Sequence, residues 1–142
     1  MEPVNPSGRI LAVDYGSKRV GVAVSDPLMI FAKPLKVIAN LGFEHILSEL
    51  RTVIEEQSAV RLICGIPYAI DGGDTAKTLE TKKFKQKLEH HLEIPVLGWD
   101  ERYSTNEAEQ ELIKMGYDWK KRRQIQDAMA AAMILKSYLE SL

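Results

Sequence analysis

Leu11-Ala12-Val13-Asp14-Tyr15-Gly16-Ser17-Lys18-Arg19-Val20-Gly21-Val22-Ala23-Val24 is the stretch that decides how this chain folds. Two apolar runs rich in β-branched residues flank a polar link from Tyr15 to Arg19, so the segment reads as strand, hairpin turn, strand. The first strand starts at Arg9 and ends on Asp14. Working outward, Ser25-Asp26-Pro27 breaks the second run, and Pro34-Leu35-Lys36-Val37-Ile38 is short enough for a third strand at the sheet edge, where proline is tolerated. The opening is therefore antiparallel.

From Phe43 the spacing changes. Phe43, Ile46, Leu47, Leu50, Val53 and Ile54 recur at three and four residues, which predicts a helix ending near Glu56. Arg61 to Ile66 is a continuous apolar run stopped by Pro67, as expected of a strand covered on both faces. The loop Asp71-Gly72-Gly73-Asp74 leads to a helix from Thr75 to about His91. Pro95-Val96-Leu97-Gly98-Trp99 is then a buried strand ending in Asp100-Glu101-Arg102. Ser104 with Glu107 has the capping-box form before a short helix stopped at Gly116, and a last helix is expected from about Lys121 to Leu139. The order β-β-β-α-β-α-β-α-α, with right-handed crossovers, makes strands four and five parallel to strand one. Their C-terminal ends then share the edge where open α/β sheets bind ligands.

The composition sets bounds. Nearly half of the 142 residues are apolar, and residues 1–8, with two prolines, suit a loose leader before a single domain over 9–142. Lys and Arg number 19 against 20 Asp and Glu, so attraction to nucleic acid has to come from local patches rather than net charge. The one cysteine, Cys64, lies inside an apolar run and excludes an intramolecular disulfide, which suits a reducing, cytoplasmic compartment. No segment has membrane-spanning length, so no membrane partner is expected.

A carboxylate at the end of an apolar strand is costly to desolvate unless something positive meets it, and Asp14 and Glu101 both stand at such positions. Asp127 follows on a helix whose small residues, Ala128 and Ala130 to Ala132, allow close packing on a sheet and so bring it toward Asp14. Three converging acids repel one another unless a divalent cation joins them, and hard oxygen ligands favour Mg2+ or Mn2+. A pair of such ions about 4 Å apart hydrolyses phosphodiesters with no nucleophilic side chain. In Asp100-Glu101 at most one side chain can face that site, and Glu101 is assigned to it, with Asp100 as the alternative. Cys64 reads as buried, and His45, His90 and His91 as solvent-facing.

These residues resemble the YqgF-like family, also called RuvX, within the RuvC and ribonuclease H-like superfamily. The resemblance runs from Arg9 to Leu139 through Leu11 to Pro27, Gly65-Ile66-Pro67, Trp99-Asp100-Glu101-Arg102, and Asp127 to Ala131 with Ile134 to Leu139. It implies an α/β, ribonuclease H-like fold: a five-stranded mixed sheet, antiparallel over its first three strands and parallel over strands one, four and five, flanked by helices. It also implies a divalent-metal site at Asp14, Glu101 and Asp127, and a nuclease that processes the precursor of small-subunit ribosomal RNA. Departures are modest: Tyr103-Ser104-Thr105 stands where Leu-Thr-Thr is usual, and Gln126 replaces an aliphatic residue.

Two basic clusters border the expected site, Lys18-Arg19 after the first strand and Lys120-Lys121-Arg122-Arg123 before Asp127, and Arg102 joins them as a nucleic-acid contact. Tyr103 and Trp119 could stack on bases. The loop from Asp71 to Thr75 could offer amides to a phosphate, although its two acids oppose this. Precursor ribosomal RNA is the expected partner, with structured DNA as the alternative, and the protein is expected to be a monomer or weak homodimer. An actin-like ATPase shares the opening motif but needs two copies of the fold, for which 142 residues leave no room. A junction resolvase would use the same acids from a symmetric dimer.

Overall fold

The computed structural model describes residues 8–104, 106–116 and 125–142. The expected hairpin is present: β1 (Arg9–Tyr15) pairs antiparallel with β2 (Arg19–Ser25), Asp14 opposite Gly21. β3 (Ala32–Ala39) adds antiparallel to β2 at the edge, with a register shift where Pro34, lacking an amide donor, meets Ala23. β4 (Ala59–Ile66) lies parallel to β1, and β5 (Val96–Asp100) parallel to β4, giving the order β3-β2-β1-β4-β5. The mixed five-stranded sheet is the one the sequence predicts.

Alternation along β1 divides the core. Leu11 and Val13 face α1 (Phe43–Gln57) and α2 (Ala76–His91), where Ile46, Leu47, Leu50, Phe84 and Leu88 are buried. Ile10 and Ala12 face the final helix, which with α3 (Asn106–Lys114) covers the other side through Leu112, Ala131, Ala132, Ile134 and Leu135. Lys136 ties these two helices together through Glu111, 2.6 Å away.

The final helix, α4 (Gln126–Glu140), starts later than the sequence suggests. Ile125 sits outside helical geometry at φ −121° and ψ 28°, so Asp127 occupies the first turn of α4. The leader up to Ser7, Trp119 and the tetrad Lys120-Lys121-Arg122-Arg123 lie outside the described residues. The capping box expected of Ser104 and Glu107 is not formed: Ser104 Oγ is buried with no hydrogen-bond partner among the described residues.

α4 reaches the sheet through a glycine. A Cβ on Gly21 would stand 1.8 Å from the carbonyl oxygen of Asp127, so only hydrogen at that position lets the start of α4 rest on the β2 backbone. The small side chains Ala128, Ala131 and Ala132, all fully buried, continue this close approach.

Candidate functional site

Asp14 is the penultimate residue of β1 and by alternation faces α4, whereas Tyr15 turns to the other side and stacks on Phe84 of α2 at 4.3 Å between ring centroids. β4 lies between β1 and β5, so the C-terminal ends of three parallel strands reach one edge of the sheet. There the chain leaves β5 through a 3-10 turn, Glu101–Tyr103, closed by the Ser104 amide donating to Glu101 O at 2.9 Å. That turn, rather than strand alternation, separates the two neighbouring acids.

Glu101 swings over β4 and meets Asp14, and the two carboxyls hydrogen-bond to each other. Gly65 makes the room, since a Cβ there would stand 2.9 Å from Glu101 Oε1 and 2.5 Å from Ile134 Cδ1. Asp100 goes elsewhere. Its carboxylate accepts from the Arg102 amide at 2.9 Å and from Arg102 Nη2 at 2.6 Å, and that guanidinium holds it below the usual carboxylate range. Arg102 also donates to the Ile70 carbonyl at 3.3 Å.

Burial pushes Glu101 up to about 8, reinforced by the charge of Asp14 and the hydrogen bond with it. Asp14 is also raised by burial, and the charge of Asp127 adds to this, while the contact with Glu101 and the charge of Lys77 act in the opposite sense. A hydrogen bond between two carboxyls requires a proton between them, so the pair carries one charge rather than two.

Asp127 faces the same region from α4, yet its Oδ2 accepts from Arg19 Nε at 2.7 Å. Among the described residues no three carboxylate, histidine or cysteine side chains are gathered closely enough to hold a metal ion. The structure thus brings Asp14 and Glu101 into contact, sets Asp127 beside them on a counter-charge, and places Lys18 exposed on the hairpin link. Arg19 and Arg102, read from the sequence as nucleic-acid contacts, are each engaged by a carboxylate.

Lys77 is the residue that sequence reasoning missed. Thr75 caps α2 by accepting from the Thr78 amide at 3.1 Å, and the Thr78 hydroxyl donates to the Pro67 carbonyl at 2.5 Å, pinning the helix start to the end of β4. Lys77, in that first turn, places its positive charge near both Asp14 and Glu101. The Thr-x-x-Thr spacing at 75–78 was the available signal.

Residues 8–141 match the family model for RuvX, described as Holliday junction resolvase. A relative from Koribacter versatilis is 37% identical over 139 residues, covering 98% of this chain and 91% of its own. One from Geobacillus kaustophilus is 40% identical over 135 residues, covering 94% and 98%. Both are provisionally named pre-16S rRNA nucleases. Among solved structures, T. thermophilus RuvC in complex with Holliday junction substrate superposes with a TM-score of 0.59 at 13% identity, covering 94% of this chain and 96% of that one. Fowlpox virus resolvase in complex with Holliday junction DNA gives 0.56 at 15% identity, covering 94% and 97%. These two likenesses fix the ribonuclease H-like fold, and the sequence relatives fix the family: the chain belongs to RuvX.

Proposed function

We propose that this protein is a divalent-metal-dependent nuclease that hydrolyses phosphodiester bonds in the precursor of small-subunit ribosomal RNA, working in the cytoplasm as a monomer or weak homodimer. The observation that carries the reading is the contact between Asp14 and Glu101 at the end of three parallel strands, with Asp127 across from it on α4. The near-full-length relatives, provisionally named pre-16S rRNA nucleases, support the substrate.

The donor set fits a hard cation. Asp14 and Glu101 are half-buried carboxyls that share a proton, with Lys77 as the positive charge beside them, and Mg2+ or Mn2+ takes oxygen ligands of this kind. Asp14 and Glu101 would hold it, with Asp127 completing the set on leaving Arg19. When bound, such an ion supplies a water of lowered pKa and a Lewis acid at the phosphoryl oxygen.

The remaining chemistry belongs to the chain. To hold such an ion, Asp14 and Glu101 would have to give up their shared proton, so activity is expected to rise with pH through the range in which Glu101 ionises. Arg19, if released from Asp127, would be free to meet a non-bridging phosphate oxygen, and Lys77 would add positive charge where the transition state gathers negative charge. Cleavage of precursor 16S RNA with magnesium or manganese, set against the same reaction in chelator, tests the reading.

Resolution of four-way DNA junctions is the second reading, favoured by the description of the family and by the resolvase fold. It requires paired sites in a symmetric dimer. A junction offered beside precursor RNA, with oligomeric state measured in the same buffer, separates the two.

A further inference from the structure

The chain has a formal net charge of −1, yet α2 alone carries Lys77, Lys82, Lys83, Lys85 and Lys87 against Glu80 and Glu89. Local excess of this kind is the electrostatic footprint of a polyanion site. α2 begins beside Asp14 and Glu101, so the excess leads directly away from the proposed site.

Beyond Lys77 in the first turn, the lysines fall into two sets. Lys82 and Lys85 face the β5 edge, along a cavity of about 640 Å3 that also meets Tyr68, Gly98 and Arg102. Each cation there has a carboxylate: Lys82 pairs with Asp74 at 3.1 Å, Lys85 with Glu89, and Arg102 with Asp100. A phosphate entering that cavity would meet those acids as well as the bases.

Lys83 and Lys87, one helical turn apart, border the opposite groove between α2 and α1, a cavity of about 220 Å3 lined also by Tyr15, Asn40 and Phe43. Both are exposed, and among the described residues neither forms an ion pair. The ammonium of Lys87 stands over the Phe43 ring, 5.3 Å from its centroid, which keeps it at the groove while its charge stays unneutralised. Tyr15 joins the groove to the site, because it follows Asp14 in the chain and its ring stacks on Phe84 of α2. Glu80 also lines this groove and is its one acid among the lining residues.

We infer that the α1–α2 groove is a subsite for the phosphodiester backbone of a single-stranded polynucleotide leaving the Asp14–Glu101 site, with Lys83 and Lys87 contacting successive phosphates. Rising about 6 Å along the helix axis over four residues, the two lysines match the spacing of neighbouring phosphates on an extended strand. The inference rests on the nuclease reading above for its substrate, and it is tested separately from it.

The experiment measures binding of a single-stranded RNA oligonucleotide to the full chain by fluorescence anisotropy, in chelator so that no strand is cut, across a salt series. Wild type is compared with Lys83→Gln/Lys87→Gln and with Lys82→Gln/Lys85→Gln, which remove the same charge from the same helix. The first variant should flatten the log–log salt slope by about 1.4, at roughly 0.7 per phosphate contact, and the second by less than half as much. Lys83→Arg/Lys87→Arg should restore the wild-type slope. Equal flattening by both Gln variants would reduce α2 to a diffuse positive field and overturn the subsite, as would an unchanged slope in the first. Whether wild type cleaves RNA with magnesium is scored apart, so that failure of the hydrolytic reading and failure of the groove are seen independently.

Discussion

The carboxyl of Glu101, in the turn after β5, hydrogen-bonds that of Asp14 at the end of β1, across a β4 residue, Gly65, that has no side chain to hold them apart. Three separate segments of sequence thus converge on one proton. Their arrangement links catalysis, metal affinity and stability in ways that can be measured.

Neutralising either partner should abolish chemistry while sparing the fold. Asp14→Asn and Glu101→Gln are each expected to lower cleavage of precursor RNA by about a hundredfold or more, roughly 2.7 kcal/mol of barrier, with circular dichroism unchanged. Asp100→Asn should act differently, since Asp100 holds Arg102 and the 3-10 turn. It should lower the melting temperature and reduce activity only modestly. A fully active Glu101→Gln beside an inactive, equally stable Asp100→Asn would reverse the assignment.

The pH dependence follows from the direction of the Glu101 shift. Its folded-state value, about 8, lies above the unfolded 4.5, so its contribution to stability is complete below about 4.5 and disappears as pH rises through about 8. In chelator, wild type should therefore melt at progressively lower temperature across that window relative to Glu101→Gln, whose amide does not ionise. Thermal melts from pH 5 to pH 9 check this. Excess magnesium should reverse the loss at high pH, because the cation replaces the proton.

Gly65 and Gly21 separate site geometry from packing. Gly65→Ala pushes a methyl against Glu101 Oε1 and Ile134, so activity and magnesium-induced stabilisation should both fall, at a stability cost of about 1–3 kcal/mol. Gly21→Ala sets Cβ on the backbone of Asp127, which cannot rotate away, and should cost more. Urea denaturation of both variants checks the order, and a Gly21→Ala protein as stable as wild type would contradict the close approach of α4.

Much of this architecture is legible in the sequence. The run from Leu11 to Val24 announces the hairpin, the apolar runs ending at Ile66 and Trp99 announce the parallel strands, and Asp14 and Glu101 stand where the first and last of these strands stop. Features set by tertiary contact are not legible. Ile125 is a lone apolar residue in a polar stretch whose composition is compatible with helix, and only its non-helical backbone shows that α4 starts at Gln126. Arg19 reads as a phosphate contact until the fold carries Asp127 over Gly21 to meet it. The lysines of α2 look like an ordinary solvated helix, and they acquire direction once Thr78 pins the helix start to Pro67 beside the acids.

The most direct test of the central claim is a magnesium titration of cleavage on precursor 16S RNA by wild type and Asp14→Asn, each repeated in excess chelator. Wild type should cut only with the metal present, and Asp14→Asn should cut at least about a hundredfold more slowly at every magnesium concentration. Cleavage by the pure protein that survives chelation, or an Asp14→Asn variant as fast as wild type, would contradict a nuclease built on Asp14, Glu101 and Asp127.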